Sequence, residues 1–242
     1  MFGFNFVRRA SLPSNALTPV RLKQRAAFDE VRPVVTRIQD EREKKGKKLT
    51  REERAVILRD NILMAAAQVV GELGYLDASI AKITEIAGVA HGTFYLYFES
   101  RQDLFDQLLP HVGGAMLSYI GKKIHGSKSY FEVEERGVRA CFQFLDDNPG
   151  FYRLMNEAEF MAPKAHHAHF ENIANHYCHS LRESIVSGEI TSFDDTELTD
   201  LAYAMTGART YIYLNYLNCG RANGSFENAI KTYLKIIVHG IK

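Results

Sequence analysis

The chain has 242 residues, 46% of them hydrophobic and 24% charged, with a formal net charge of +1. That length allows one medium domain or two smaller ones, and the composition is ordinary for a soluble globular protein. No apolar run approaches the roughly 18–20 residues that span a bilayer. Phe2, Phe4, Phe6 and Val7 make too short a stretch for a secretory signal, and the arginines follow it rather than precede it. The first 28 residues are acid-free and contain Arg and Ser, as transit peptides do, but this is the lesser reading. Cys141, Cys178 and Cys219 are odd in number and far apart, which fits a reducing, cytoplasmic setting.

A net charge of +1 argues on its face against a nucleic-acid binder, but the average hides a split. Residues 1–50 carry twelve Lys and Arg against five acids, a net of +7, and the remaining residues carry eighteen against twenty-four, a net of −6.

Apolar residues recur at helical spacings and no run alternates as a strand would, so the expected fold class is all-α. The expected division is a basic extension over 1–48, a three-helix DNA-binding domain over 49–104 and a larger helical domain over 105–242. Within the extension, Pro13 and Pro19 mark an irregular start. Residues 20–45 could form a helix broken near Pro33, and Glu43 to Lys48 reads as a linker. The extension is most simply a solvated arm.

Thr50-Arg51-Glu52-Glu53 fits a capping box. The helix after it carries Leu58, Ile62, Ala66, Val69 and Leu73 on one face, and Gly74 stops it. Ser79 is placed to cap a short helix lined by Ile80, Ile83, Ile86 and Ala87, and Gly88 breaks that helix. A second short helix is expected over roughly Ala90 to Tyr97. Ser100 caps the next, with Asp103 as its box partner. Two short helices joined by a tight glycine turn and packed on a longer one make the helix-turn-helix plan.

The run from Ile83 to Phe105 (Ile-Thr-Glu-Ile-Ala-Gly-Val-Ala-His-Gly-Thr-Phe-Tyr-Leu-Tyr-Phe-Glu-Ser-Arg-Gln-Asp-Leu-Phe) resembles the DNA-binding domain of the tetracycline-repressor (TetR) family. Asn148-Pro149-Gly150-Phe151-Tyr152, with Asn156 to Glu159 and Ala162-Pro163, is similar to a common subgroup of such regulators. Thr84 departs from the pattern, since Ala is usual there. The resemblance implies a dimeric regulator, most simply a repressor. It would place two recognition helices on a pseudo-palindromic operator and be released when a small molecule binds its C-terminal domain.

On this reading Ala90, His91, Gly92 and Thr93 form the first turn of the recognition helix and approach base edges or phosphate. Tyr95 and Tyr97 offer hydroxyls to phosphate, and Ser79, Lys82 and Arg101 add backbone contacts. No Arg, Asn or Gln sits on that helix to make bidentate base contacts, so direct readout is modest and shape readout matters. Residues 51–104 carry five basic residues against eight acids. The attraction to DNA is therefore expected from the arm, with Arg21, Lys23, Arg25, Lys44, Lys45, Lys47 and Lys48 as candidates.

Helices are expected over 105–125, 131–148, 149–158, 163–187, 195–219 and 226–240. An effector pocket among them would draw on Phe142, Tyr152, Asn156, Glu157, Phe160, His169, His176, Tyr177 and Arg209, and would suit an apolar, acyl- or aromatic-bearing molecule. Most aromatics there simply build core. His166, His167, His169, His176 and His179 lie on one helix. A metal site would need them to converge, and a plain helix flank is the simpler reading. Leu198, Leu201, Ala202, Met205, Ala208, Ile212, Ile230, Tyr233, Leu234 and Ile237 mark the last two helices as a four-helix dimer interface. No phosphate loop, dinucleotide fingerprint or nucleophile elbow is present, so no catalytic residue, cofactor or enzyme activity is assigned. The alternative is a metal-binding or interaction bundle that has lost DNA binding.

Overall fold

A computed structural model describes residues 48–219 and 226–240. The extension expected over 1–48 lies outside the described residues apart from Lys48. Among the described residues every regular element is a helix. These are α1 (Arg51–Leu73), α2 (Ile80–Ala87), α3 (His91–Phe94), α4 (Arg101–Ile124), α5 (Tyr130–Asp147), α6 (Pro149–Met161), α7 (Pro163–Val186), α8 (Leu198–Cys219) and α9 (Glu227–Gly240).

Local signals set most boundaries. At the start of α1, Glu53 N donates to Thr50 Oγ1 at 3.2 Å and Thr50 N donates to Glu53 Oε2 at 2.8 Å, a complete capping box. Ser79 and Ser100 accept from the backbone N–H of Lys82 and Asp103. Gly88 ends α2 at φ +69°, a conformation that penalises any side chain. Pro149 and Pro163 stand at the first position of α6 and α7, where the missing N–H costs nothing. Thr84 is buried, and its hydroxyl donates back to Ile80 O and Ala81 O at 3.0 and 3.1 Å. The residue that departs from the family pattern is thus satisfied within its own helix.

The core of the first three helices is built on α1. Ile62, Leu63, Ala66 and Val70 are fully buried and pack with Ile83, Phe94, Phe98 and Phe105. The stripe ends earlier than its spacing predicts, because Leu73 is exposed. The second helix of the pair is also shorter than expected. Its α-helical part is only His91–Phe94, followed by tightened turns in which Leu96 N donates to Thr93 O and Tyr97 N to Phe94 O. This winding turns both Phe94 and Phe98 inward, with ring centroids 5.4 Å apart.

One helix serves both halves. α4 packs Leu104, Phe105, Leu108 and Leu109 beneath the first three helices, accommodates the exposed Pro110, and runs on beside α5 and α7. The expected boundary at 104/105 therefore falls inside a continuous helix. A second junction joins α1 to α6. A Cβ on Gly71 would lie 2.8 Å from Gly150 Cα, so glycine on both sides lets the two backbones touch.

Candidate functional site

The helix-turn-helix face gathers the expected residues. Ser79, Lys82, Ala90, His91, Gly92, Tyr95 and Arg101 are all exposed, and Thr93 and Tyr97 are half-buried. A Cβ on Gly92 would meet no atom within 4 Å, so this glycine opens the surface toward whatever approaches it. The His91 and Tyr95 rings stand edge to face, 5.8 Å apart. Leu96, overlooked in the sequence, is 78% exposed between Tyr95 and Tyr97 in the chain, a large apolar side chain left on this face. Lys82 lies 3.6 Å from Glu85, so part of its charge is met on its own helix. Arg101 leans back over the Phe105 ring and donates to Leu76 O and Ala78 O at 3.4 Å. Its first role here is to fasten the loop between α1 and α2.

The second feature is an apolar cavity bounded by α4, α5, α6, α7 and α8, with about 980 Å³ of empty space counting the part open to solvent. Met116, Ile120, Phe142, Leu145, Met155, Phe170 and Ile173 supply its walls. Five of the nine expected effector residues line it: Phe142, Tyr152, His176, Tyr177 and Arg209.

The other four lie elsewhere. Asn156 and Phe160 are exposed on α6 and do not line the cavity, although Asn156 pairs with the cavity residue Tyr152. Glu157 faces α1 instead, accepting from Tyr75 N at 2.9 Å and Arg153 Nε at 2.7 Å. His169 belongs to the buried stripe Ala165–His169–Ile173 of α7, which packs it beneath Gly113 of α4, outside the cavity. Burial pushes its pKa down to about 4.

The remaining histidines do not converge. His166 stacks near Phe170, His176 is at the cavity, and His167 and His179 are exposed beside Glu171 and Glu183. Among the described residues no group of three or more His, Cys, Asp or Glu is placed to hold a metal ion.

Polar groups collect at one end of the cavity. Arg209 Nη2 donates to Glu134 Oε1 at 2.5 Å, and both side chains are nearly inaccessible. Tyr233 Oη donates to the same oxygen at 2.5 Å and accepts from Arg209 Nε at 3.1 Å. The Arg209 guanidinium lies over the rings of Tyr177 and Tyr233, 5.1 and 5.4 Å from their centroids. Burial is the strongest single influence and works against the Arg209 charge, but Glu134 together with Tyr177, Tyr233 and Cys141 overcomes it and raises the pKa. Glu134 is not among the residues expected from the sequence. The signal was present: Tyr130, Glu134, Gly137, Val138, Phe142 and Leu145 recur at helical spacing as the buried stripe of α5.

α8 and α9 turn most of their large apolar residues inward. Leu198, Ala202, Met205, Ile230, Tyr233 and Ile237, expected at a dimer interface, are buried within the chain. What they leave outward is Tyr203, Ala204, Ala208 and Tyr211 on α8 and Ile236 on α9.

No helix among the described residues is long and apolar enough to cross a membrane. Residues 62–108 match the family model for bacterial regulatory proteins of the tetR family. HTH-type transcriptional regulator YvdT of Bacillus subtilis is 38% identical over 74 residues, 31% of this chain and 38% of the relative. The fatty acid metabolism regulator protein of Bacillus subtilis is 36% identical over 63 residues, 26% of this chain and 32% of the relative. The chain thus matches well under half the length of these two curated relatives.

Two solved structures share the fold more widely. The transcriptional regulator FadR from Bacillus subtilis in complex with stearoyl-CoA superposes with a TM-score of 0.63 at 21% identity, covering 75% of this chain and 98% of that one. The fatty acid degradation regulator FadR from Bacillus halodurans gives 0.64 at 21%, covering 81% and 99%. Residues 62–108 thus carry the helix-turn-helix sequence of the bacterial tetR-family regulators, within an all-helical fold shared with these two structures.

Proposed function

We propose that the chain is a ligand-responsive repressor. It binds a pseudo-palindromic operator as a homodimer and is released by a small, largely apolar effector held in the cavity. Residues 49–104 do the DNA reading, through Ser79, Lys82, Ala90, His91, Gly92, Thr93, Tyr95, Tyr97 and Arg101, and residues 105–242 bind effector and dimerise. Tyr203, Ala208, Tyr211 and Ile236 supply the outward apolar surface that a second copy would cover.

The observation that carries this reading is the shared use of α6. One side of it contributes Tyr152 and Met155 to the cavity. From another side, Arg153 donates to Glu72 O and Leu73 O at 2.9 and 3.0 Å, closing the C-terminus of α1. A molecule that presses on α6 therefore presses on the helix that carries the DNA-binding domain. The stearoyl-CoA complex of the Bacillus subtilis regulator supports an acyl-bearing effector.

An electrophoretic shift with DNA from upstream of the chain's own gene tests the proposal. The expected result is a complex of two chains per operator that dissociates as medium- to long-chain acyl compounds are added. A chain that fails to shift that DNA refutes the reading.

A further inference from the structure

The cavity's polar end is closed in charge. An unpaired arginine in an apolar cavity is a carboxylate site, because its fork of donors matches the two carboxylate oxygens. Arg209 is already engaged: Glu134 takes Nη2 at 2.5 Å and Tyr233 takes Nε at 3.1 Å. A ligand carboxylate arriving here would have to expel Glu134 into apolar surroundings or sit beside it as a second negative charge, and either is costly at low dielectric. The Tyr177 hydroxyl is different. It is buried, belongs to a cavity-lining residue, and has no hydrogen-bond partner among the described residues. Burial holds it protonated, so it can both donate and accept. A buried hydroxyl in this state gains from any ligand group that pairs with it.

We propose that the cavity selects an effector whose buried polar group is uncharged, of the hydroxyl, amide or ester class, with Tyr177 as its hydrogen-bonding partner and Glu134 as the residue that rejects a carboxylate. This rests on the cavity being the effector site. It goes further in making Glu134 a determinant of specificity through its hold on Arg209.

Calorimetric titration of the full chain at pH 7.5 tests it. The probes are an n-alkyl alcohol, a primary amide and a carboxylic acid of equal chain length, each taken from eight to fourteen carbons. The alcohol and amide should bind at least tenfold tighter than the acid. Glu134→Gln frees the Arg209 fork and should move the ratio at least tenfold toward the acid. Tyr177→Phe, which alters neither member of the ion pair, should weaken the alcohol and amide about fivefold without weakening the acid. If Glu134→Gln does not fold, the natural-chain ratio and Tyr177→Phe decide the matter. An acid that binds as tightly as the alcohol, or a ratio that Glu134→Gln leaves unchanged, overturns the selectivity while the cavity reading stands. Failure of every probe to bind overturns both.

Discussion

His169 lies 1% exposed beneath Gly113, where a Cβ on that glycine would sit 2.2 Å from its Nδ1. It packs edge to face against Phe151 and Phe170. Burial depresses its pKa from 6.5 to about 4. The unfolded chain therefore takes up a proton at this side chain, as pH falls through 6.5, that the folded chain refuses. Stability is fully present above 6.5 and declines as pH falls toward 4, by about 2 kcal/mol at pH 5 from this residue alone. Urea unfolding at pH 7.5 and pH 5 should show that decline, and His169→Leu should shrink it by about that amount whatever it does to stability at pH 7.5. The spacing in α7 does carry this histidine's burial, since His169 falls four residues after Ala165 and four before Ile173. The partner that covers it is different. Gly113 is fifty-six residues away, and no local pattern says that two helices approach there closely enough to exclude a Cβ.

The same division between local and distant information holds for whole elements. Caps and breakers are local chemistry, so Thr50, Ser79, Gly88, Ser100, Pro149 and Pro163 mark their helix ends in the sequence as in the structure. Which side of a helix faces which neighbour is settled by packing. Glu157 and Asn156 follow the cavity residues Tyr152 and Met155 on α6, yet Glu157 serves α1 and Asn156 is exposed. The α1–α6 junction that results is a place to separate stability from signalling. Gly71→Ala forces a Cβ against Gly150 Cα and should destabilise the chain by about 1–3 kcal/mol. Arg153→Ala removes the donors to Glu72 O and Leu73 O from an exposed site, so it should cost little stability. Its expected effect is on coupling: the ratio of operator affinities without and with effector should fall at least fivefold, within the usual range for linked sites. Parallel gel-shift titrations of the natural chain and Arg153→Ala measure that ratio, and an unchanged value would mean that the signal does not pass through this contact.

At the scale of the whole molecule the question is where the attraction to DNA comes from. The face built by α2 and α3 presents one lysine, already beside Glu85, and Arg101 leans over Phe105 and back toward the loop. Residues 51–104 carry more acids than bases, whereas residues 1–50 carry a net of +7. A duplex binds a basic partner largely by releasing condensed counterions, and each phosphate neutralised adds about 0.9 to the slope of log affinity against log salt. A reading surface with so few unengaged cations should have a shallow slope of its own. If the arm supplies the attraction, removing residues 1–47 should flatten the slope by about 0.9 for every phosphate the arm neutralises. It should weaken operator and unrelated DNA by similar factors, because phosphate contacts carry no sequence information. His91→Ala should do the reverse, lowering operator affinity with little change in slope, if His91 reads base edges as proposed. Fluorescence anisotropy on operator and scrambled duplexes from 50 to 300 mM salt separates the two effects, and equal slopes for the full and shortened chains would return the attraction to the helices themselves.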